Sequence, residues 1–162
     1  MTDASAGAGL SHLDASGHAH MVDVSGKDVS ARSARASGRV LLSAEAIAAL
    51  RAGRVPKGDA LAVARIAGIM GAKRTPDLVP LCHPIALHSV TVDLEVRDDA
   101  VMITAEARTA DRTGVEMEAL TSVTVAALAL IDMVKAVDPA AVISDVRVEE
   151  KTGGKTGLWR RP

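Results

Sequence analysis

The near absence of aromatic side chains constrains the fold of this chain more than any other feature. Its 162 residues include no Phe, no Tyr and one Trp, although 48% of them are hydrophobic. Aromatic rings supply large blocks of buried apolar area in most cores, so Ala and Val must form this core by close packing of small side chains. The same scarcity excludes aromatic cages for cations and the stacking platforms that bind single-stranded nucleic acids.

Charge and cysteine content narrow the functional classes further. A formal net charge of −1 gives no basis for sequence-independent binding of nucleic acid. Cys82 is the single cysteine, which excludes an internal disulfide and a thiolate-rich metal site. The first twenty residues do not resemble a signal peptide, and charges interrupt the apolar runs before they reach membrane-spanning length. We therefore predict a cytoplasmic protein that binds neither nucleic acid nor membranes.

Composition divides the chain into three segments. Residues 1–19 are rich in Gly, Ala and Ser without periodicity, which predicts a disordered lead. Residues 20–150 carry the regular patterns and predict one catalytic domain. Residues 151–162 are basic and glycine-rich, which predicts a flexible tail.

The hydrophobic periodicity predicts an α+β fold. A short alternation over 21–24 suggests an edge strand. Further strands are predicted at 39–42, 90–97, 101–108 and 142–149, and helices at 44–51, 60–74 and 114–135. Ser43 and Asp59 are the predicted N-caps of the first two helices, and Pro76 blocks continuation of the second. Thr113 and Glu116 have the spacing of a capping box for the longest helix. This order predicts a ferredoxin-like split βαβ antiparallel sheet with an additional helix.

A histidine and the cysteine lie side by side in a segment bracketed by two prolines, Pro80-Leu81-Cys82-His83-Pro84. Adjacent residues of an extended segment point to opposite faces, so Cys82 and His83 are poorly placed to share a metal ion. Two interpretations remain for His83: a structural residue, or a residue that contacts substrate. The prolines favour the second, because they stiffen the segment and keep it out of a helix.

The long helix carries acidic residues at both ends. Glu116 in the first turn suits the helix dipole, and Glu118 lies about 200° around the helix from it. Asp132 and Lys135 are three residues apart, which is the spacing of an ordinary surface ion pair as well as of an acid–base pair. Glu118 and Asp132 are separated by a rise of about 21 Å. If both are functional, a second protomer must bring one of them close to the other.

Basic residues gather near the predicted loops and helix ends. They are Lys57, Lys73, Arg74, Lys135 and Lys155. Interspersed with carboxylates, they suit a compact polyanion such as a nucleoside triphosphate better than DNA. For the segment around Lys155, a flexible solvated tail and a mobile basic flap that closes over an anionic ligand both remain open.

Several long motifs, in order, resemble the cyclic pyranopterin monophosphate synthase family. They are Met21-Val22-Asp23-Val24, Lys57-Gly58-Asp59, Ala72-Lys73-Arg74-Thr75, Pro80-Leu81-Cys82-His83-Pro84, Thr113-Gly114-Val115-Glu116-Met117-Glu118, Asp132-Met133-Val134-Lys135 and Thr152-Gly153-Gly154-Lys155. The resemblance implies a lyase of molybdenum cofactor biosynthesis, acting at the second step. Its substrate would be a cyclised dihydroguanosine triphosphate, and its products cyclic pyranopterin monophosphate and pyrophosphate.

The resemblance also implies an assembly and a site. The assembly is a homohexamer, a trimer of dimers, with sites at the dimer interfaces. Asp132 and Lys135 would be the catalytic pair, with Lys57 as a second catalytic lysine. The substrate-binding residues would be Leu81, Cys82, His83, Met117, Glu118 and the adjacent Glu116, with Lys73, Arg74 and Lys155 as phosphate contacts. No tightly bound cofactor is expected, although a divalent cation such as magnesium could accompany the pyrophosphate, and no residues form a dedicated metal site.

Two other functions are compatible with parts of the sequence. A ferredoxin-like regulatory module could bind a nucleotide without chemistry, but it would not need a matched Asp–Lys pair. A structural assembly protein could use the charged residues as interface salt bridges. Loss of assembly rather than of turnover, after a change at Asp132, would favour that second alternative.

Overall fold

The computed structural model describes residues 13–14 and 16–162 of the chain. The disordered lead predicted for residues 1–19 therefore falls mostly outside the described residues. From there on the elements follow the order β1, α1, α2, α3, β2, β3, α4, β4, β5. This is the ferredoxin-like α+β arrangement expected from the sequence, with additional helices before β2 and a short strand at the end.

Five antiparallel strands form one sheet in the order β2-β3-β1-β4-β5. Their bounds are Ser30–Leu41 for β1, Leu87–Val96 for β2, Ala100–Asp111 for β3, Val142–Thr152 for β4 and Trp159–Arg160 for β5. The strand β1 lies at the centre, pairing with β3 from Ser30↔Asp111 to Leu41↔Ala100. On its inner face Ala34, Ala36 and Val40 are fully buried, which is the period-two pattern of a sheet with one covered face.

Four helices connect the strands. They are α1 (Ala44–Arg51), α2 (Ala60–Ala72), α3 (Thr75–Leu78) and α4 (Glu116–Val134). The predicted N-caps of the first two are confirmed, since the Ser43 hydroxyl accepts from the Ala46 N–H at 3.2 Å and the Asp59 carboxylate accepts from the Ala62 N–H at 2.9 Å. Each bond satisfies a backbone donor that the helix itself leaves free.

The core consists of small side chains in close contact, as the scarcity of aromatics requires. Helix α4 packs on the sheet and against α2. A Cβ atom added at Gly68 of α2 would lie 2.9 Å from the carbonyl oxygen of Ser122, and one at Gly71 would lie 2.7 Å from Cβ of Val125. The two helices therefore approach closely enough that their contact depends on glycine.

Helix α4 is long and apolar enough to cross a membrane by length and composition alone. In the structure, however, 56% of its apolar window is buried inside the protein. Leu130 and Val123 are fully buried there. Such burial is typical of a core helix, and a core helix can be as long and as apolar as a membrane-spanning one.

Three local predictions differ from the structure. Strand β1 begins at Ser30 rather than at residue 39, because pairing with β3 compensates for the weak strand propensity of its Ala, Ser and Gly residues. The edge strand predicted at 21–24 is wrong, since that segment is irregular. Helix α2 ends at Ala72, short of the predicted Arg74, and Pro76 lies in the first turn of the unpredicted helix α3, where the missing N–H has no cost.

The capping box predicted for the long helix is also wrong. The N-cap of α4 is Val115, and no side chain caps it. The Glu116 carboxylate instead accepts a hydrogen bond from Nζ of Lys151 at 2.7 Å. In the segment predicted as a tail, Lys151 and Thr152 continue β4, and β5 returns alongside it.

Candidate functional site

Three predicted catalytic residues lie together at the end of α4 and form the lysine–aspartate cluster, Lys57, Asp132 and Lys135. Each lysine Nζ is 2.7 Å from a different carboxylate oxygen of Asp132. Lys57 comes from the loop before α2, and Lys135 is the C-cap of α4. All three side chains are about half exposed, so the cluster lies open to a ligand.

The two lysines control the ionisation of Asp132. Its pKa falls to about 2 because Lys135 and then Lys57 donate hydrogen bonds to the carboxylate. Asp132 is therefore ionised at neutral pH. In the cluster it acts as a hydrogen-bond acceptor that holds two cationic donors side by side.

A separate pocket of about 410 Å³ lies at the other end of α4. The predicted substrate-binding residues Leu81, Cys82, His83, Glu116, Met117 and Glu118 all line it. Val22 and Val24, from the irregular segment before β1, form another part of its wall. The structure therefore brings together three segments that are far apart in the sequence.

His83 is held at the pocket wall by the main chain. Its Nε2 lies 2.6 Å from the carbonyl oxygen of Val22. A carbonyl can only accept, so Nε2 carries the proton and donates it. This bond fixes the orientation of the imidazole ring. It is compatible with both interpretations of His83, as a structural residue and as a residue that contacts substrate.

Glu118 is the buried acid of the pocket. Its side chain is only 3% exposed, and burial raises its pKa to about 6, with a smaller contribution from the charge of Glu116. A carboxyl group with a pKa in this range can exchange protons near neutral pH. Burial, and then Glu118, also raise the pKa of the Cys82 thiol, which disfavours a thiolate nucleophile at this position.

Beside the pocket lies a cationic cleft, which we define by Lys27, Arg32, Arg112 and Lys155. Lys27, Arg32 and Lys155 line two adjoining cavities of about 360 and 200 Å³, and Arg112 lines the smaller one. Lys27 also lines the pocket, so the cleft and the pocket are neighbours.

Main-chain carbonyls hold the arginines of the cleft in place. Arg32 donates to the carbonyl of Asp111 at 3.0 Å and to that of Arg112 at 3.2 Å, and Arg112 donates to the carbonyl of Lys27 at 2.9 Å. Such bonds orient a guanidinium without neutralising its charge. Two oriented arginines and two lysines around a cavity suit a ligand with several phosphate oxygens.

The three predicted phosphate contacts lie in different parts of the structure. Lys155 lies in the cationic cleft. Lys73 is the C-cap of α2, and Arg74 is exposed and pairs with Asp77 at 3.3 Å. Neither lines the pocket or the cleft, so phosphate binding by Lys73 and Arg74 stays a prediction.

Sequence reasoning did not select Lys27, Arg32 and Arg112. Lys27 follows the Met21–Val24 motif by three residues, and Arg32 and Arg112 lie outside the family motifs. Only the pairing of β1 with β3 brings Arg32 beside Arg112, through Ser30↔Asp111. Among the residues that the structure describes, no three His, Cys, Asp or Glu side chains are grouped to hold a metal ion.

The lysine–aspartate cluster and the pocket do not meet within one chain. Glu118 and Asp132 are fourteen residues apart on the continuous helix α4, which corresponds to about 21 Å along its axis. Each group of residues is therefore one half of a candidate site.

The fold and these side chains define a class. The chain is an α+β enzyme of ferredoxin-like fold, with a lysine–aspartate cluster, a pocket that contains a buried carboxyl group, and an adjoining cationic cleft. It belongs to the MoaC family, whose model matches residues 21–154. The match includes every predicted site residue except Lys155.

Curated relatives agree with this assignment over nearly the whole chain. A protein of Streptomyces coelicolor is 70% identical over 152 residues, which cover 94% of this chain and 89% of the relative. A protein of Nocardioides sp. is 65% identical, with 94% and 96% covered, and one of Corynebacterium glutamicum is 55% identical, with 93% and 96% covered. All three are named cyclic pyranopterin monophosphate synthase.

Proposed function

We propose that this protein converts a cyclised dihydroguanosine triphosphate into cyclic pyranopterin monophosphate with release of pyrophosphate, as a step of molybdenum cofactor biosynthesis. The observation that carries the proposal is the carboxylate of Asp132 held between two lysines at 2.7 Å each, in a family whose named relatives catalyse this synthesis. The pocket and the cationic cleft supply complementary sites for a heterocycle and for phosphates.

The reaction opens a purine ring and builds a pterin, so protons must move to and from nitrogen and carbon atoms. Lys57 and Lys135 offer two donors on one carboxylate, and Asp132 keeps both in position. Glu118, with its pKa near 6, can exchange a proton from the opposite side of the substrate. The polar groups of the pocket must distinguish the base, because no Phe or Tyr is available to stack on it.

Formation of the cyclic phosphate requires a sugar hydroxyl to attack the innermost phosphorus while pyrophosphate leaves. Negative charge then accumulates on the leaving oxygens, and nearby cations lower that barrier. Lys155 and the other cations of the cleft are placed for this role beside the pocket. A divalent cation such as magnesium would enter with the pyrophosphate rather than on a protein site.

The proposed function requires a second copy of the chain, because the two half-sites lie at opposite ends of α4. The outward stripe of α4 runs through Met117, Thr121, Leu128 and Asp132. Met117 is 38% and Leu128 56% exposed. A two-fold axis near the middle of this stripe would place the cluster of one copy against the pocket of the other.

The neighbouring helix extends the same apolar surface. On α2, Val63, Ile66 and Met70 lie on one face and are 42%, 58% and 59% exposed. Large exposed apolar patches mark interaction surfaces. A second copy of the chain would bury this patch and complete the divided site. We propose that such dimers form the homohexamer that the family resemblance implies, in the cytoplasm.

The direct test is incubation with the cyclised triphosphate, followed by mass detection of the cyclic pterin and of pyrophosphate. We expect both products from the native protein and neither from Lys135→Ala or Lys57→Ala. Arg51→Ala is the matched control, since Arg51 pairs with Asp98 on the surface and lies outside the pocket and the cleft. Normal turnover by either lysine variant would refute the assigned roles, and absence of product from the native protein would refute the function.

The assembly has its own test by light scattering and sedimentation. Ile66→Glu and Leu128→Glu introduce a charge into the proposed interface and should lower both the mass of the particle and the activity. Val142→Glu, at a position that is 50% exposed on β4, should change neither. An unchanged particle in both interface variants would place the contact elsewhere.

A further inference from the structure

Residues 158–162 lie beyond the part of the chain that matches the family model, which ends at residue 154. They nevertheless adopt a defined structure. Strand β5 pairs with β4 through Glu150↔Arg160 and Lys151↔Trp159. This pairing closes the glycine-rich segment 153–157 into a loop, and that loop carries Lys155.

Main-chain and side-chain groups of Arg160 and Arg161 bind β5 to β4. The main-chain N–H of Arg161 donates to the Glu149 carbonyl at 2.9 Å, and its Nε donates to the Val148 carbonyl at 2.7 Å. Arg160 contacts the Glu150 carboxylate at 2.6 Å. A free tail would not form this two-residue strand pairing together with three further polar contacts.

The loop between β4 and β5 is pressed against the cationic cleft. Gly153 and Gly154 have φ values of +89° and +68°, which L side chains rarely adopt. A Cβ atom at Gly153 would meet the backbone of Ala31 and Arg32, and one at Gly154 would meet the Arg32 guanidinium. The loop therefore lies directly on Arg32, with Lys155 beside Lys27 in the wall of the same cavity.

Trp159 lies near the wall of the pocket, beyond the Glu116 side chain. Together with Thr156, it lines a cavity of about 350 Å³ that also contains Glu116 and Lys151. Glu116 lines the pocket as well, so the Lys151–Glu116 ion pair separates the pocket from Trp159. Trp159 therefore shares a cavity with this ion pair, where its bulk reduces the access of water and so strengthens the pair.

We propose that β5 acts as a strap, in which Trp159 is a positioning residue that holds Lys155 in the cationic cleft and Lys151 on Glu116 for binding of a polyphosphate group. This inference rests on the proposed function for the identity of the substrate. It does not rest on turnover, because the strap acts on a binding site.

The strap can be tested with inorganic tripolyphosphate, by calorimetry on the full chain. We expect Trp159→Ala and deletion of residues 158–162 to weaken binding about tenfold, since each frees a cation that must then be ordered on binding. Trp159→Phe should restore most of the affinity. Leu158→Ala is the matched control, because Leu158 adjoins Trp159 and is 58% exposed.

The native protein provides an independent signal. Trp159 is the only tryptophan and the chain has no tyrosine, so intrinsic fluorescence reports on this strap alone. Tripolyphosphate should change the emission in a saturable way. Lys155→Ala should shift the midpoint of that titration to higher ligand concentration.

Kinetics separate positioning from a general loss of structure. With the cyclised triphosphate, Trp159→Ala should raise KM about tenfold and change kcat less than about twofold, the pattern of a lost binding contribution. Unaltered tripolyphosphate affinity and KM in Trp159→Ala would overturn the strap and leave the proposed function intact. Trp159-dependent tripolyphosphate binding without any product would support the strap and overturn the proposed function.

Discussion

Asp132 and Glu118 occupy opposite ends of one helix, and their surroundings move their pKa values in opposite directions. Asp132 is exposed between two lysines, and its pKa falls to about 2. Glu118 is buried at the pocket, where burial raises its pKa to about 6. Two carboxyl groups with separated pKa values can divide acid and base roles. The comparison indicates that the cluster contains a carboxylate that stays ionised at neutral pH, whereas the pocket contains a carboxyl group that can exchange its proton near neutral pH.

The largest effect should follow from removing the charge of Asp132. Asp132→Asn keeps the shape but no longer holds both lysines, and we expect kcat to fall by roughly 10²–10⁴-fold, the usual range for a positioned proton-transfer group. Steady-state assays of product formation measure this loss. Asp98→Asn is the matched control, since Asp98 is an exposed partner of Arg51. A kcat within twofold of the native value would remove Asp132 from the mechanism.

Mixed assemblies test whether the two regions act across an interface. Chains with Asp132→Asn and chains with Glu118→Gln each retain one intact half-site. At equal amounts and with random exchange, about a quarter of the sites in two-fold dimers should combine two intact halves and regain activity.

The same experiment has an internal control. Lys57 and Asp132 are 2.7 Å apart in one chain, so mixing Lys57→Ala with Asp132→Asn should give no recovery. Recovery in that second mixture, or none in the first, would contradict the division of the site.

The buried carboxyl group should give a pH-dependent stability. A folded-state pKa raised from 4.5 to about 6 means that ionisation of Glu118 opposes folding. Stability should therefore fall as the pH rises from about 4.5 to about 6, by about 2 kcal/mol for this shift. Glu118→Gln should not lose this stability between pH 4.5 and pH 7, which urea unfolding at the two pH values measures. An identical pH dependence in the variant and the native protein would contradict the burial argument.

The smallest effect concerns the pairing in the cluster. Removing one donor with Lys57→Ala should raise the pKa of Asp132 from about 2 towards the ordinary aspartate value of 3.8. NMR titration of the side-chain carboxyl carbon measures this shift, with Arg51→Ala as the surface control. Because the groups are exposed, added salt should weaken the difference between the variants. A pKa that does not move would leave Lys135 as the sole determinant.

Much of the fold follows from periodicity. The β2–β3 hairpin alternates strictly, and Ser43 and Asp59 cap their helices as expected. The first half of β1 was missed because its Ala, Ser and Gly residues form a strand only when β3 and β4 pair with them. Thr113 is not the cap because α4 begins at Glu116, with Val115 at the N-cap position, and the Glu116 carboxylate is paired with Lys151 on another element.

The candidate site was predicted residue by residue from motifs, yet its arrangement was not. Lys57 lies 75 residues from Asp132 in the chain and bonds to it directly. Arg32 and Arg112 were missed because each looks like an ordinary surface arginine until the strands pair. The sequence likewise contains no local signal that Trp159 lines the same cavity as the Lys151–Glu116 ion pair.

By itself, the sequence determined a thin core of small side chains, the ferredoxin-like order of elements, and the distance along α4 that separates Glu118 from Asp132. These are properties of composition and of helix or strand geometry, and each depends on near neighbours in the chain. Only the tertiary structure decided which cations converge beside the pocket, which carboxyl group is buried and which is paired. Those outcomes depend on burial and on contacts between residues far apart in sequence, which strand pairing and helix packing alone bring together.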